Sequence, residues 1–118
     1  MIDPTLTATR ENSPSGETVL VLNGELDFST SAGFTRALGD TPFGEGTRVV
    51  IDLSELGYCD STGITVLINA YQRAQIAGSQ LILQGVRPDL MRVFGIVGLE
   101  QVFTFRSVAE DVVDDLRS

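Results

Sequence analysis

The sequence of 118 residues predicts an α/β fold, a mixed and mostly parallel sheet of about five strands with packed helices. Three observations predict it. Short β-branched runs alternate with longer stretches of helical periodicity. The run Val49-Val50-Ile51 is apolar at every position, as expected of a strand covered on both faces. The later runs are separated by crossover-length segments rather than by hairpin turns. The element order read from these signals is β-β-α-β-α-β-α-β-α. It forms one domain over residues 1–118, with a core from about residue 5 to about residue 116.

Each element has a local reason. Leu6 and Ala8 alternate with threonines as a weak edge strand, and Asn12-Ser13-Pro14-Ser15-Gly16 reads as a turn. Thr18 to Leu22 is a strand ending at Asn23-Gly24, which makes a hairpin with the first. Ser29-Thr30-Ser31 supplies cap residues for a short helix carrying Phe34, Ala37 and Leu38, stopped by Gly39. Thr47 to Leu53 is the next strand. Ile64, Leu67, Ile68, Tyr71 and Ala74 form the apolar stripe of the clearest helix, which Gly78 ends. Leu81 to Val86 is a buried-type strand. Pro88 opens a helix bearing Leu90, Met91, Val93 and Phe94, broken by Gly95 and Gly98. Val102 to Phe105 is a last strand, and Val108 to Leu116 a closing helix whose acids, Glu110, Asp111, Asp114 and Asp115, read as a solvated face.

Composition closes many functional classes. The formal net charge is −8, which disfavours nucleic acid and anionic lipid as partners. There is no histidine, and all eight basic residues are arginine. A Ser-His-Asp triad, a His-ligated zinc site, a Lys Schiff base and a P-loop lysine are therefore excluded. No metal, cofactor or catalytic residue is expected. A carboxylate titrating near pH 4 is a poor base for a serine at pH 7. Cys59 is the only cysteine and reads as a small core hydrophobe. The N-terminus shows no signal-peptide pattern and no apolar run approaches the ~20 residues of a membrane span, so a cytoplasmic location is expected.

Asp60-Ser61-Thr62-Gly63 stands just before the clearest helix. Asp and Ser are good caps because their side-chain oxygens accept helix-start N–H groups. The same helix start, with its positive end of the dipole, suits a phosphate. On these residues alone, capping and phosphate acceptance both stand. Asp27 is equally open, as a turn or cap residue or as a neighbour of this motif. Asp52 reads as an exposed strand-end acid. Arg87 and Arg92 read as surface arginines able to pair with the sheet's acids or with a phosphate-bearing ligand.

Gly24-Glu25-Leu26-Asp27, then Val49-Val50-Ile51-Asp52-Leu53-Ser54, then Asp60-Ser61-Thr62-Gly63-Ile64, with Gly98-Leu99 and Val102-Phe103, together resemble the STAS domain family. Within it the chain is similar to the single-domain anti-sigma factor antagonists. The resemblance spans about Leu6 to about Leu116 and implies the STAS (anti-sigma factor antagonist-like) fold. It implies a non-enzymatic partner-switching regulator of transcription, which binds an anti-sigma factor with serine kinase activity and frees a sigma factor. Phosphorylation at Ser61 would end the association and a phosphoserine phosphatase would reset it. The implied partner-binding surface comprises Asp27, Asp60, Ser61, Thr62 and Gly63, with Thr62 a secondary hydroxyl. An alternative within the family is a scaffold subunit of a transporter or sensory complex, in which Ser61 only caps its helix. The sequence departs from the Ser-x-Gly-Leu-Gly pattern of many antagonists, having Thr65 where the second glycine stands.

Overall fold

A computed structural model of the chain describes residues 6–107. The strands are β1 (Leu6–Asn12), β2 (Thr18–Leu26), β3 (Arg48–Cys59), β4 (Gln80–Gln84) and β5 (Thr104–Arg106). The helices are α1 (Ser31–Gly39), α2 (Ser61–Ala77) and α3 (Pro88–Ile96), with a 3₁₀ turn at Leu99–Gln101. The sheet runs in the order β1-β2-β3-β4-β5. β1 and β2 are antiparallel and every later pair is parallel, so the mixed, mostly parallel sheet is as expected. The closing helix expected from Val108 lies outside the described residues.

Side-chain alternation divides the sheet into two faces. Leu20, Leu22, Val49, Ile51, Leu53, Leu81 and Leu83 point to the main core, where they meet Phe34 and Leu38 of α1, Leu67 and Ala70 of α2, and Leu90 and Phe94 of α3. Phe94, Phe103 and Phe105 close one end of this core, with Phe94 and Phe103 ring centroids 5.8 Å apart. On the other face Val50 and Ile82 are buried. Beside them Glu17 takes hydrogen bonds from Arg48 and Arg106, the shortest to Arg106 Nη1 at 2.9 Å. This clip joins the β1–β2 turn to β3 and β5.

Several boundaries differ from expectation, each for a physical reason. β2 does not end at Asn23-Gly24. Its pairing with β3 shifts register on either side of these residues, and Gly24 takes φ 121°, so the dipeptide forms an irregularity inside a longer strand. β3 correspondingly continues to Cys59 rather than stopping at Leu53. β4 is shorter than expected and pairs with β3 only over Arg48 to Asp52. Among the described residues the outer part of β3 therefore has β2 on one side and no strand on the other. Gly95 sits within α3 rather than breaking it. Phe103 is buried ahead of β5, which begins at Thr104.

The deep face of α2 is also rotated from the expected stripe. Val66, Leu67, Ala70 and Ala74 are buried together with Gly63, whereas Ile64, Ile68 and Tyr71 are half-buried at the margin. Small residues bring the helix backbone close to the sheet. Gly78 ends the helix at φ 78°, a left-handed conformation that glycine adopts without a Cβ penalty.

Candidate functional site

The outer ends of β2 and β3 deliver two loops to one place. Asp60 follows β3 and is the N-cap of α2. Its Oδ1 accepts from the Gly63 amide at 3.0 Å, and Oδ2 accepts from the Phe28 amide at 3.2 Å. Its own amide donates to the Leu26 carbonyl at 3.1 Å. One residue thus caps the helix and ties it to the β2–α1 loop. The capping reading of Asp60 holds, and the same side chain brings the Asp27-Phe28 segment to the helix start.

Asp27 organises that segment. Its Oδ1 accepts from the Ser29 amide at 2.9 Å, the Ser29 hydroxyl at 2.8 Å and the Thr30 amide at 3.1 Å. The Ser29 hydroxyl, above all, and then the Thr30 and Ser29 amides hold the Asp27 carboxyl below its usual range, against the opposing effect of desolvation. Thr30, the N-cap of α1, does not cap with its side chain. Its hydroxyl donates instead to the Glu25 carbonyl at 2.9 Å and accepts from the Asp27 amide at 2.9 Å. The expected cap cluster is therefore a loop brace.

Ser61 is the first residue of α2 and is exposed. Of the helix-start amides, Gly63 is satisfied by Asp60 and Ile64 by the Asp60 carbonyl. The amides of Ser61 and Thr62 have no acceptor among the described residues, so the positive end of the helix dipole is open where the Ser61 hydroxyl stands. Thr62 is half-buried. Gly63 is there for space: a Cβ would lie 2.7 Å from Leu26 Cγ and 2.8 Å from Cys59 Sγ. Burial, with the nearby Asp60 carboxylate adding to it, pushes the Cys59 thiol up to about 12, so it stays neutral. Thr65 turns its hydroxyl back to the Ser61 carbonyl at 3.0 Å.

The structure gathers Asp27, Asp60, Ser61, Thr62 and Gly63 at one end of the sheet, and leaves the other candidates elsewhere. Asp52 is not an exposed strand-end acid. It is half-buried, accepting from Ser54 through Oδ1 and from Gln84 Nε2 at 3.0 Å through Oδ2. Arg87 pairs with no acid among the described residues; its Nε donates to the Ser54 carbonyl at 3.1 Å. Among the described residues no group of three His, Cys, Asp or Glu is placed to hold a metal ion. No described helix is long and apolar enough to cross a membrane. Sequence reasoning missed Phe28, which is 81% exposed beside Asp60. A large aromatic between two loop residues was its only signal.

Known proteins share the fold and the family of this chain. The family model described as STAS domain matches residues 7–112. The chain is 35% identical over 85 residues to an anti-sigma-B factor antagonist of Listeria monocytogenes, covering 72% of this chain and 75% of that protein. Its fold is similar to that of an anti-sigma factor antagonist from Mycobacterium paratuberculosis, with TM-score 0.73 and 24% identity over 99% of this chain and 98% of the other. It is also similar to the Bacillus cell fate determinant SpoIIAA in its phosphorylated form, with TM-score 0.65 and 19% identity over 93% of this chain and 99% of the other. The mixed five-stranded sheet, the Asp60-capped helix and the match over most of the chain lead to one conclusion: this protein belongs to the STAS domain family.

Proposed function

We propose that this protein is an anti-sigma factor antagonist whose binding is switched by phosphorylation of Ser61. The observation that carries the proposal is the open helix start. Ser61 is exposed, and the neighbouring amides of Ser61 and Thr62 have no protein acceptor among the described residues. Asp60 meanwhile caps through Gly63 without occupying them. A phosphate added to Ser61 meets open N–H donors and a favourable dipole, so the modification leaves the fold in place. The partner reading is supported by relatives named anti-sigma-B factor antagonist and anti-sigma-F factor antagonist. Neither histidine nor lysine is present to make Ser61 a nucleophile.

The mechanism is a change of surface chemistry. The partner, an anti-sigma factor that is also a serine kinase, closes over Asp27, Asp60, Ser61, Thr62 and Gly63 and transfers the γ-phosphoryl group of ATP to the Ser61 oxygen, with ADP as the leaving group and the hydroxyl proton released. The product adds about −1.5 to −2 charges. Burying that charge in an interface shaped around a neutral hydroxyl costs several kcal/mol. Each 1.4 kcal/mol is a factor of ten, so about 3–4 kcal/mol weakens the complex several hundredfold. A phosphoserine phosphatase then restores the binding form.

Capture of the anti-sigma factor from the source organism's own cytosol, with unmodified protein and with Ser61→Glu, tests the reading. We expect a kinase-fold anti-sigma factor on the unmodified protein alone. Incubation of that partner with ATP should then place phosphate on the peptide containing Ser61. Equal capture by Ser61→Glu, within twofold, removes the switch. An absence of modification at Ser61 would instead favour the scaffold reading.

A further inference from the structure

Beside the candidate switch, between the outer part of β3 and α3, lies a groove of about 180 Å³. Leu56, Tyr58 and Cys59 form one wall, and Asp89, Leu90 and Val93 form the other. The groove exists because β4 pairs with β3 only as far as Asp52, so α3 rather than a second neighbouring strand flanks the rest of β3. It is apolar along its length, with Tyr58 54% and Val93 37% exposed at its lips. Its one charged lining residue is Asp89, in the first turn of α3. It runs into the switch surface through the chain itself, since Cys59 lines it and Asp60 and Ser61 follow.

We propose that this groove is a second anchoring site for the anti-sigma factor, taking one apolar side chain that has an arginine or lysine next to it. The inference rests on the function proposed above and adds to it the partner's chemistry. A volume of this size fits a Leu, Ile or Met side chain, and such buried apolar anchors are where binding energy concentrates. Asp89 selects the neighbouring cation, because an acid on the lip of an apolar groove is satisfied by a partner's positive charge and repels a negative one. Arg87 lies at the Ser54 end of the same strand and is already engaged there. Exposed Phe28, whose amide donates to Asp60, adds an apolar group on the loop beside the helix start. The groove and the hydroxyl have separate tasks: the groove supplies affinity, and Ser61 decides whether the surfaces can close.

Two measurements test this on the whole chain. The first is binding to the purified anti-sigma factor by calorimetry. Val93→Asp and Tyr58→Ala should each weaken it at least tenfold, and Asp89→Arg at least threefold. Ile76→Asp, at an 89% exposed position about 22 Å along α2 from Ser61, should change it less than twofold. Thermal melts establish that each variant is folded. The second needs no anti-sigma factor: amide spectra of the protein titrated with acetyl-Leu-Arg-amide, acetyl-Ala-Arg-amide and acetyl-Leu-Glu-amide. Shifts at Gly57, Cys59 and Val93 should be at least threefold larger with the first peptide, and Val93→Asp should abolish them. If the wild type binds the anti-sigma factor and folded groove variants bind it equally well, the groove proposal is overturned while the function stands. If the wild type does not bind it, the function fails first, and the peptide titration still reports on the groove. Equal response to the three peptides overturns the groove's selectivity. A free protein that is a dimer, made monomeric by Val93→Asp, assigns the groove to a second copy and overturns the proposal.

Discussion

The Thr65 hydroxyl donates to the Ser61 carbonyl at 3.0 Å, so the residue that replaces the family's second glycine braces the first turn of α2 from within. A hydroxyl bonded to the carbonyl four residues earlier stays against its own helix. It projects less toward an approaching surface than a β-branched residue otherwise would. Thr65→Gly loses this bond and gains backbone freedom, and should lower stability by about 1 kcal/mol. Thr65→Ala should fall within about 0.5 kcal/mol of the wild type, because the better helix propensity offsets the lost bond. Urea titration of both variants measures the difference.

Asp60 joins α2 to the β2–α1 loop, so its removal should have two effects. Asp60→Ala should cost about 1–2 kcal/mol through the lost cap. It should also speed hydrogen exchange at the Gly63 and Phe28 amides, which are the two groups that its carboxylate accepts. Asp60→Asn keeps one acceptor and should lose less. If exchange at Phe28 is unchanged in Asp60→Ala, the link between the loops is not what orders that segment.

Gly63 is constrained by contact rather than by backbone angle. Leu26, which a Cβ would meet at 2.7 Å, is wholly buried and has little room to yield. Gly63→Ala should therefore destabilise by about 1–3 kcal/mol, the usual range for overpacking. A fall in the urea midpoint at constant m-value is the expected signature.

The Glu17 clip gives stability an acid limit. Hydrogen bonds from Arg106, above all, hold the Glu17 carboxyl below its ordinary value of 4.5, with Arg48 adding to the effect against desolvation. A carboxyl whose folded value is depressed stabilises the fold above its unfolded value, and the contribution fades as pH falls through the folded one. The advantage of the wild type over Glu17→Gln should be full at pH 6 and shrink progressively below about pH 4.5. Urea midpoints of the two proteins at pH 6, 4.5 and 3.5 measure it. A constant difference across that range would assign the clip's effect to packing rather than charge.

What was legible in the sequence follows the range of the interactions. Asp60 as a cap depends on Gly63, three residues away, and could be read locally. The strand and helix order was legible for the same reason. The face of α2 was legible only in part: Leu67 and Ala74 are buried as expected, but so are Gly63 and Ala70, whose small size carries little hydrophobic signal. Asn23-Gly24 reads as a strand end in isolation, but pairing with both β1 and β3 carries the strand through it. Asp52 and Glu17 acquired their roles from Gln84, Arg48 and Arg106, partners that sequence distance hides. The exposure of Phe28 depends on where Asp60 holds its amide, a contact 32 residues apart in sequence.

The short reach of β4 has one more consequence. Beyond Asp52 the seven residues Leu53 to Cys59 carry β3 outward with β2 as their strand neighbour among the described residues and α3 across the groove, roughly 23 Å of strand at 3.3 Å per residue. Ser61 therefore stands at the outer end of the sheet, beyond the stretch where β3 is laddered to β4. The phosphate proposed for Ser61 would there be visible to whatever docks on that end and nearly silent to the fold. The modified and unmodified proteins should accordingly unfold at almost the same denaturant concentration, so that the message is legible from outside and costs the messenger little.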